Sequence, residues 1–353
     1  MRTTTFGLRA MAGTVVVALV ATACASGTQS PPGPPRNGLP GPEKTSITIG
    51  ISSDDPHQFA LQLAIDEGIF EKYGIKATGK LLNGVQPTTQ AMLSGQLDAA
   101  TNNATASIIS LGTSRPLVDI GVTINRLPDV IYGGKGMTTA DQLRGKKIAI
   151  SQLGGQSNTE AFLGMRQLGL EADEFHITQI GSQGARISAL QAGTVSATPA
   201  DPGLKAKLAK SGISPLVDLR TADVQVPGSN IQVRRDFTEK YPNLTLIIMA
   251  AVIEAVQTEF TDTKAVAHHY ADWAGISDEE SMDLWQDYLD AKLPQRDMRA
   301  YVPGYNLAKE VLADFDPAIT YVDATQAYDG RFIDKLDQMG FLQKLGVPAT
   351  DAS

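Results

Sequence analysis

The stretch LLNGVQPTTQAMLSGQLDAATNNA, residues 81–104, decides the fold. An apolar strand end leads into a polar turn and a short helix. Gly95 ends that helix, and a second apolar strand stops at Thr101. Polar residues follow both strands, at 83–89 and 102–105. Because ligands bind beyond the carboxyl ends of strands in open parallel sheets, we expect a ligand loop at each of these two places.

The pattern returns 98 residues later, in GSQGARISALQAGTVSATPAD at 181–201. Three small residues that mark the helix, its end and the following strand recur at the same spacing: Ala91, Gly95 and Ala99, then Ala189, Gly193 and Ala197. Two copies of one ligand-loop unit predict two similar lobes that face each other.

Composition narrows the classes of function. The chain has 353 residues with a formal charge of −8 and no basic stripe, which suits two domains and excludes a nucleic-acid-binding protein. Its single cysteine excludes an intrachain disulfide and a cysteine-based zinc site. The four histidines are scattered without an obvious Ser or Cys partner. There is no phosphate-binding P-loop and no His-Glu-x-x-His motif. We therefore expect no enzyme, no cofactor and no metal.

The amino terminus carries an export signal. Arg2 and Arg9 precede an apolar run at 11–23, which is too short to span a bilayer and is typical of a signal peptide. Cys24 follows two small residues, as in a bacterial lipobox, although Ala21 stands where leucine is usual. We predict a lipoprotein signal peptide over 1–23 and lipidation of Cys24. A proline-rich tether is predicted over 24–45.

From Ser46 onward, strands alternate with helices at a spacing typical of an α/β fold with a largely parallel sheet. Extended segments with Gly and Pro, at 127–134 and 224–233, interrupt this rhythm and are predicted to cross between lobes. Lobe 1 is then predicted to comprise 46–124 and 228–353, and lobe 2 to comprise 125–227.

Several motifs carry a family resemblance across about residues 46–260. The helix at Ala60–Ile75 resembles an opening helix of pattern A-x-x-x-A-x-x-x-G-x-F-x-x-x-G. Ala91–Ala99, its echo Ala189–Gly193 and the strand approach at Thr138–Ile150 are similar to further elements of that family. The sequence resembles the NMT1/THI5-like solute-binding proteins, which serve the import of nitrate, sulfonates, taurine and thiamine precursors.

The resemblance implies a type II periplasmic-binding-protein fold of two lobes, with a hinge of two crossovers and a cleft for the ligand. It implies a substrate-binding subunit of an ABC importer that closes on a small polar organic molecule or oxyanion. The partners would be a membrane permease with its cytoplasmic ATPase, and the lipid bilayer through Cys24. The protein would then be an extracytoplasmic, membrane-anchored monomer. A surface adhesin or ligand-sensing receptor on the same fold stays open. So does a pyrimidine-synthesis enzyme of this fold, although its cysteine-rich motif is missing here.

Candidate ligand contacts are polar residues after predicted strands, each with capping of the next helix as its alternative. On lobe 1 they are Gln86, Thr88, Thr89, Asn102, Asn103 and Thr105. On lobe 2 they are Gly155, Gln156, Ser157, Asn158 and Asp201. The two glycines of the loop before Gln156 permit close approach of a ligand to the backbone.

Charged candidates bear on the ligand's chemistry. Asp55 and His57 follow the first strand. An acidic group at this place repels a bare anion and suits an amine. The alternative is that the aspartate caps the helix that begins near Pro56. Arg126 lies in the first crossover and could pair with a carboxylate or sulfonate, or lie on the hinge surface. The sequence leaves the ligand open among nitrate, sulfonate, taurine, bicarbonate, pyrimidine and amine.

Overall fold

The computed structural model describes Met1 and residues 32–348. The predicted signal peptide and Cys24 lie outside the described residues, apart from Met1. Within 32–348, the chain from Pro32 onward forms one compact unit.

The strands lie in the first two thirds of this unit, separated by helices. Their bounds are β1 Ser46–Ile51, β2 Lys76–Leu81, β3 Ala99–Asn102, β4 Leu117–Ile124, β5 Val130–Gly133, β6 Lys147–Ile150, β7 His176–Gln179, β8 Ala197–Ala200, β9 Ser214–Asp218 and β10 Ser229–Arg234.

Helices cover both faces of the sheets and make up the end of the chain. Their bounds are α1 Ala60–Asp66, α2 Ile69–Lys72, α3 Val85–Leu93, α4 Ala104–Ser110, α5 Gln156–Gln167, α6 Gln183–Gln191, α7 Lys205–Ala209, α8 Arg235–Lys240, α9 Pro242–Thr261, α10 Thr263–Ala274, α11 Asp278–Asp290, α12 Pro303–Ala313, α13 Arg331–Gln338 and α14 Phe341–Lys344. Short 3-10 turns include Pro56–Gln58 and Ala140–Leu143.

Two five-stranded sheets share one topology. The strand order is β2-β1-β3-β10-β4 in the first sheet and β7-β6-β8-β5-β9 in the second. In each sheet the fourth strand runs antiparallel to both of its neighbours, while the first three are parallel. The prediction of a two-lobe α/β fold with largely parallel sheets is confirmed.

The repeated sequence unit occupies the same place in each sheet. Helix α3 leads to β3 and helix α6 leads to β8, and each of these strands is third in its sheet. Gly95 and Gly193 follow the two helices with φ of 81° and 71°, a left-handed conformation that glycine adopts without strain.

The segments predicted as crossovers contribute the antiparallel strands. Part of 127–134 forms β5 in the second sheet, and part of 224–233 lies in β10 of the first. An extended chain that enters a lobe satisfies its backbone N–H and C=O groups by pairing with strands already there. The alternation of strands and helices did not reveal these two strands, because the glycine and proline residues in both segments interrupt it.

Helices from the last third of the chain pack in the cores of both lobes. Helix α9 is long and apolar enough to cross a membrane by length and composition, and it is mostly buried in the core beside the first sheet. Helix α12 instead places Tyr305, Val311 and Leu312 in a core shared with strands of the second sheet. The lobe boundaries predicted from the sequence stay a prediction.

The end of the proline-rich segment contacts the folded unit. Leu39 is buried in the core beside the first sheet. The Glu43 carboxylate accepts hydrogen bonds from the backbone N–H groups of Asn243 and Leu244, each at 2.9 Å. These N–H groups lie in the first turn of α9, where a carboxylate is favourable.

Candidate functional site

A cavity of about 630 Å³ lies between loops of the two sheets. Residues 52–58 and 83–87, which follow β1 and β2, line it from the first sheet. Residues 151–157 and 181–186, which follow β6 and β7, line it from the second, together with Asp129 of the first crossing. The volume suits a small molecule, and the carboxyl ends of strands are where such folds bind ligands.

Hydrogen bonds from β10 and α10 hold the loop that follows β1. Ser229 Oγ donates to the His57 carbonyl oxygen at 2.7 Å, and Tyr270 Oη donates to the Asp54 carbonyl oxygen at 2.6 Å. Within the loop, Ser53 Oγ donates to Asp55 Oδ2 at 2.6 Å. These bonds hold the turn from which Asp55 and His57 line the cavity.

The two lobes touch beside the cavity through side-chain amides. Asn103, which caps α4, donates from Nδ2 to Gln156 Oε1 at 3.2 Å. Gln156 in turn donates from Nε2 to Glu160 Oε1 at 2.8 Å. A loop after β3 in the first sheet is thus linked through α5 to a carboxylate of the second lobe.

Acidic side chains dominate the inner end of the cleft. Asp55, Asp129 and Glu160 line the main cavity, and Glu160 is only 1% exposed. Asp201 lines a small adjoining cavity of about 40 Å³ with Asp55 and His57.

One cation, Arg186, lies among these carboxylates and is 5% exposed. Its guanidinium donates to Thr198 Oγ1 at 3.2 Å, to the Gly181 carbonyl at 2.9 Å and to the Pro199 carbonyl at 3.2 Å. The arginine is therefore tied to the wall of the second lobe.

Burial governs how these groups ionise. It raises the pKa of Asp129 well above the usual range, and the neighbouring Glu160 and Asp55 raise it further. Burial also raises the pKa of Glu160, against the hydrogen bond from Gln156. The pKa values of Asp55 and Asp201 are raised by burial as well. Removal of carboxylates from water and their mutual repulsion act in the same direction here.

Burial lowers the pKa of His57 to about 4, although the carboxylate of Asp201 opposes this shift. His57 is therefore neutral at neutral pH. We predict that its ring carbon resonances, followed by NMR as the pH is lowered, stay constant down to about pH 5. His268 gives an internal contrast, because Asp278 accepts a hydrogen bond from it and raises its pKa. A His57 titration midpoint near the ordinary 6.5 would show that its ring is solvated.

Six of the residues predicted from sequence line the main cavity: Asp55, His57, Gln86, Gly155, Gln156 and Ser157. Thr89 and Thr105, with Gln86, line a neighbouring cavity of about 240 Å³ between α3, α4 and the loop after β6. Asp201 lies in the small adjoining cavity, and Asn103 reaches across the cleft as described.

The other predicted residues make contacts within the protein. Thr88 Oγ1 donates to the Gly84 carbonyl oxygen, and Asn102 Nδ2 donates to Thr89 Oγ1. Asn158 Oδ1 accepts from the Gly154 N–H, and Arg126 donates to the Ala222 carbonyl oxygen at 2.7 Å. These bonds shape the strand-end loops, and ligand contact by these four residues stays a prediction.

Of the cavity residues that were not predicted from the sequence, four bear on the chemistry of the site: Gln58, Asp129, Glu160 and Arg186. The positions of two of them in the sequence could have indicated their role. Arg186 stands at the position of Thr88 in the repeated unit, 98 residues on. Glu160 follows Gln156 by one helical turn and shares its face. Asp129 lies in a crossing segment with no such periodicity.

Comparison with solved structures supports the same fold. The E. coli periplasmic aliphatic sulphonate binding protein SsuA is 20% identical, with 80% of this chain and 92% of that chain covered, at a TM-score of 0.64. The periplasmic nitrate-binding protein NrtA from Synechocystis PCC 6803 is 15% identical, with 87% and 90% covered, at 0.63. A cysteine-to-serine mutant of DszB, solved with biphenyl-2-sulfinic acid, is 17% identical, with 83% and 99% covered, at 0.58.

A search of curated proteins found no match. The model of the NMT1-like family matches residues 40–275, which is more than half of the chain. The family resemblance of the sequence is therefore confirmed, and the chain belongs to the NMT1-like family.

Proposed function

We propose that this protein is the extracytoplasmic substrate-binding subunit of an ABC importer. The observation that supports this proposal is the cavity of about 630 Å³ between strand-end loops of two sheets with the same topology. A ligand that contacts both lobes binds the closed arrangement better than the open one, and so shifts the population toward closure. The closed form would then dock on a membrane permease and release the ligand.

The proposed ligand site comprises the cavity residues named above. Asp55, His57 and Gln86 would contact the ligand from the first lobe, and Gln156 and Ser157 from the second. SsuA is an aliphatic sulphonate binding protein and NrtA is a nitrate-binding protein. Their likeness supports binding of a small polar molecule here, and the charge of this cavity bears on which molecule it is.

Thermal unfolding of the protein with a panel of small molecules tests this proposal. The panel holds nitrate, alkanesulfonates, taurine, bicarbonate, ureas, aminopyrimidines and amines. A ligand that binds the native state raises the unfolding midpoint by mass action. We expect at least one class to raise it in a concentration-dependent manner. A flat response across the panel would favour an adhesin on the same fold.

Binding without turnover is part of the proposal. The similar DszB structure holds a sulfinic acid and carries serine in place of one of its cysteines. In the present chain the single cysteine is Cys24, which we place in the lipid anchor. Conversion of a bound probe into product, followed by mass spectrometry, would contradict this part of the proposal.

We also propose that Cys24 is lipidated and holds the protein to the outer face of the membrane. We predict that Cys24→Ser moves the protein from the membrane fraction to the soluble fraction. One acyl-modified terminus is the only anchor in this proposal, and α9 is buried in the folded unit. Membrane retention of the Cys24→Ser variant at the wild-type level would contradict lipidation.

A further inference from the structure

Carboxylates from four separate parts of the chain converge on the cleft. Asp55 follows β1, Asp129 lies in the first crossing, Glu160 is on α5 and Asp201 follows β8. The guanidinium of Arg186 lines the same cavity and carries the opposite charge. A second guanidinium, of Arg220, lines the small adjoining cavity, but its ion pairs are to two other carboxylates, Asp218 and Asp287.

Positive partial charge from helix ends does not reverse this balance. The first turns of α3, α5 and α6 border the cavity, and each helix N-terminus is equivalent to about half a positive charge. Three helix ends with Arg186 amount to about two and a half positive charges. With Asp129 protonated beside Glu160, as its raised pKa favours, three carboxylates of the set remain and still outweigh them. Arg186 is also engaged by three oxygens of its own lobe, which leaves it poorly placed to clamp an anion.

A separate observation points to a ligand that donates hydrogen bonds. Gln58 lines the main cavity and is only 2% exposed, yet its Oε1 accepts no hydrogen bond from residues 32–348. A buried amide oxygen without a partner is unfavourable, so such groups generally have a partner when the site is filled. A ligand N–H at this place would satisfy it.

A metal ion is a poorer match for these carboxylates. Within residues 32–348, no group of three His, Cys, Asp or Glu side chains comes together closely enough to hold one. The carboxylates are instead spread along a cavity with room for an organic molecule.

We propose that the cleft takes an organic cation, with a protonated nitrogen paired with the adjacent carboxyl groups of Asp129 and Glu160, near Asp55, and hydrogen-bonded to Gln58 Oε1. This inference rests on the proposed receptor function and names the ligand class of the same cavity. An anion without a positively charged group would face the carboxylates unshielded, whereas an ammonium or guanidinium forms charge-assisted hydrogen bonds with them.

Isothermal titration calorimetry on the mature protein with charge-matched probes tests the inference. The probes are putrescine, agmatine, butanesulfonate and nitrate, together with taurine and ethanesulfonate, which differ by one ammonium group. We expect binding by one or more ammonium- or guanidinium-bearing probes, and none by nitrate, butanesulfonate or ethanesulfonate. Binding of the simple anions, or equal affinities for taurine and ethanesulfonate, would overturn the inference and leave the receptor function standing. Absence of binding by every probe would also overturn the inference, and the wider thermal-unfolding panel would then decide the receptor function.

Variants tie the bound probe to the named carboxylates. Glu160→Gln and Asp129→Asn keep the shape of each side chain and remove its ability to carry a negative charge beside the ligand. Each should therefore lower the affinity for the cationic probe about tenfold or more. Glu239→Gln and Asp173→Asn are matched controls at exposed positions and should leave the affinity unchanged. Thermal unfolding of each variant confirms that it is folded. Wild-type affinity in folded Glu160→Gln and Asp129→Asn would overturn the assignment.

Discussion

Trp285→Ala is expected to lower the free energy of unfolding by about 3–5 kcal/mol, the range for loss of a large buried aromatic side chain. Trp285 on α11 is 0% exposed. Its ring lies 5.2 Å from that of Tyr288 and 5.9 Å from that of Tyr270, both in edge-to-face geometry, and 6.3 Å from that of Phe59. Phe59 directly follows the turn that carries His57 and Gln58, so this cluster supports the floor of the cleft.

Urea unfolding measures the effect, with Trp285→Phe as the control. The indole Nε1 has no hydrogen-bond partner among residues 32–348, so the Phe variant loses volume but no hydrogen bond. We expect Trp285→Phe to lose clearly less stability than Trp285→Ala. An Ala variant within about 1 kcal/mol of wild type would show that this cluster is not part of the cooperative core.

Arg186→Met is expected to cost about 3–5 kcal/mol at pH 8, the range for removing one partner of buried charges. The substitution leaves three oxygens of the second lobe without their donor and leaves Asp55, Asp129 and Glu160 without the adjacent positive charge.

The pH dependence separates the two contributions to this loss. The pKa values of these three carboxyl groups are raised in the folded protein above their usual range. The folded state therefore binds more protons than the unfolded state as the pH falls, and protonation removes the repulsion that Arg186 offsets. We expect a smaller loss at pH 5 than at pH 8, measured by urea unfolding at both. Arg186→Lys, which keeps the charge, should recover part of the stability at pH 8. An equal loss at both pH values would attribute the effect to the hydrogen bonds alone.

Much of the fold could be predicted because its signals are local. The helix–glycine–strand unit around Gly95 repeats around Gly193, and each copy occupies the third place of its sheet. Polar loops after β1, β2 and β6 pointed to the correct edge of each sheet, since the carboxyl ends of parallel strands meet there. Six of the predicted ligand residues line the cavity for this reason.

The charge of the site depends on contacts that a sequence does not display. Asp129 lies in a segment whose sequence predicts only an extended chain. Its approach to Glu160 is set by the pairing of β5 with β8. Arg186 and Glu160 each lie on a helix face that would serve equally well as a solvated surface in another fold. Antiparallel pairing of the crossing segments, and the docking of α12 against the second lobe, are likewise long-range outcomes.

The central claim is that a small molecule binds between the two lobes and draws them together. Gln96 and Thr194 are exposed, occupy equivalent places in the two repeated units and lie outside the cavity lining. With Cys24→Ser as background, cysteines introduced at these two positions are the only sites for spin labels, and pulsed EPR reports the distance between them. We predict that a saturating probe from the cation set shortens and narrows the distance distribution. An unchanged distribution, with the probe bound in calorimetry under the same conditions, would contradict the account.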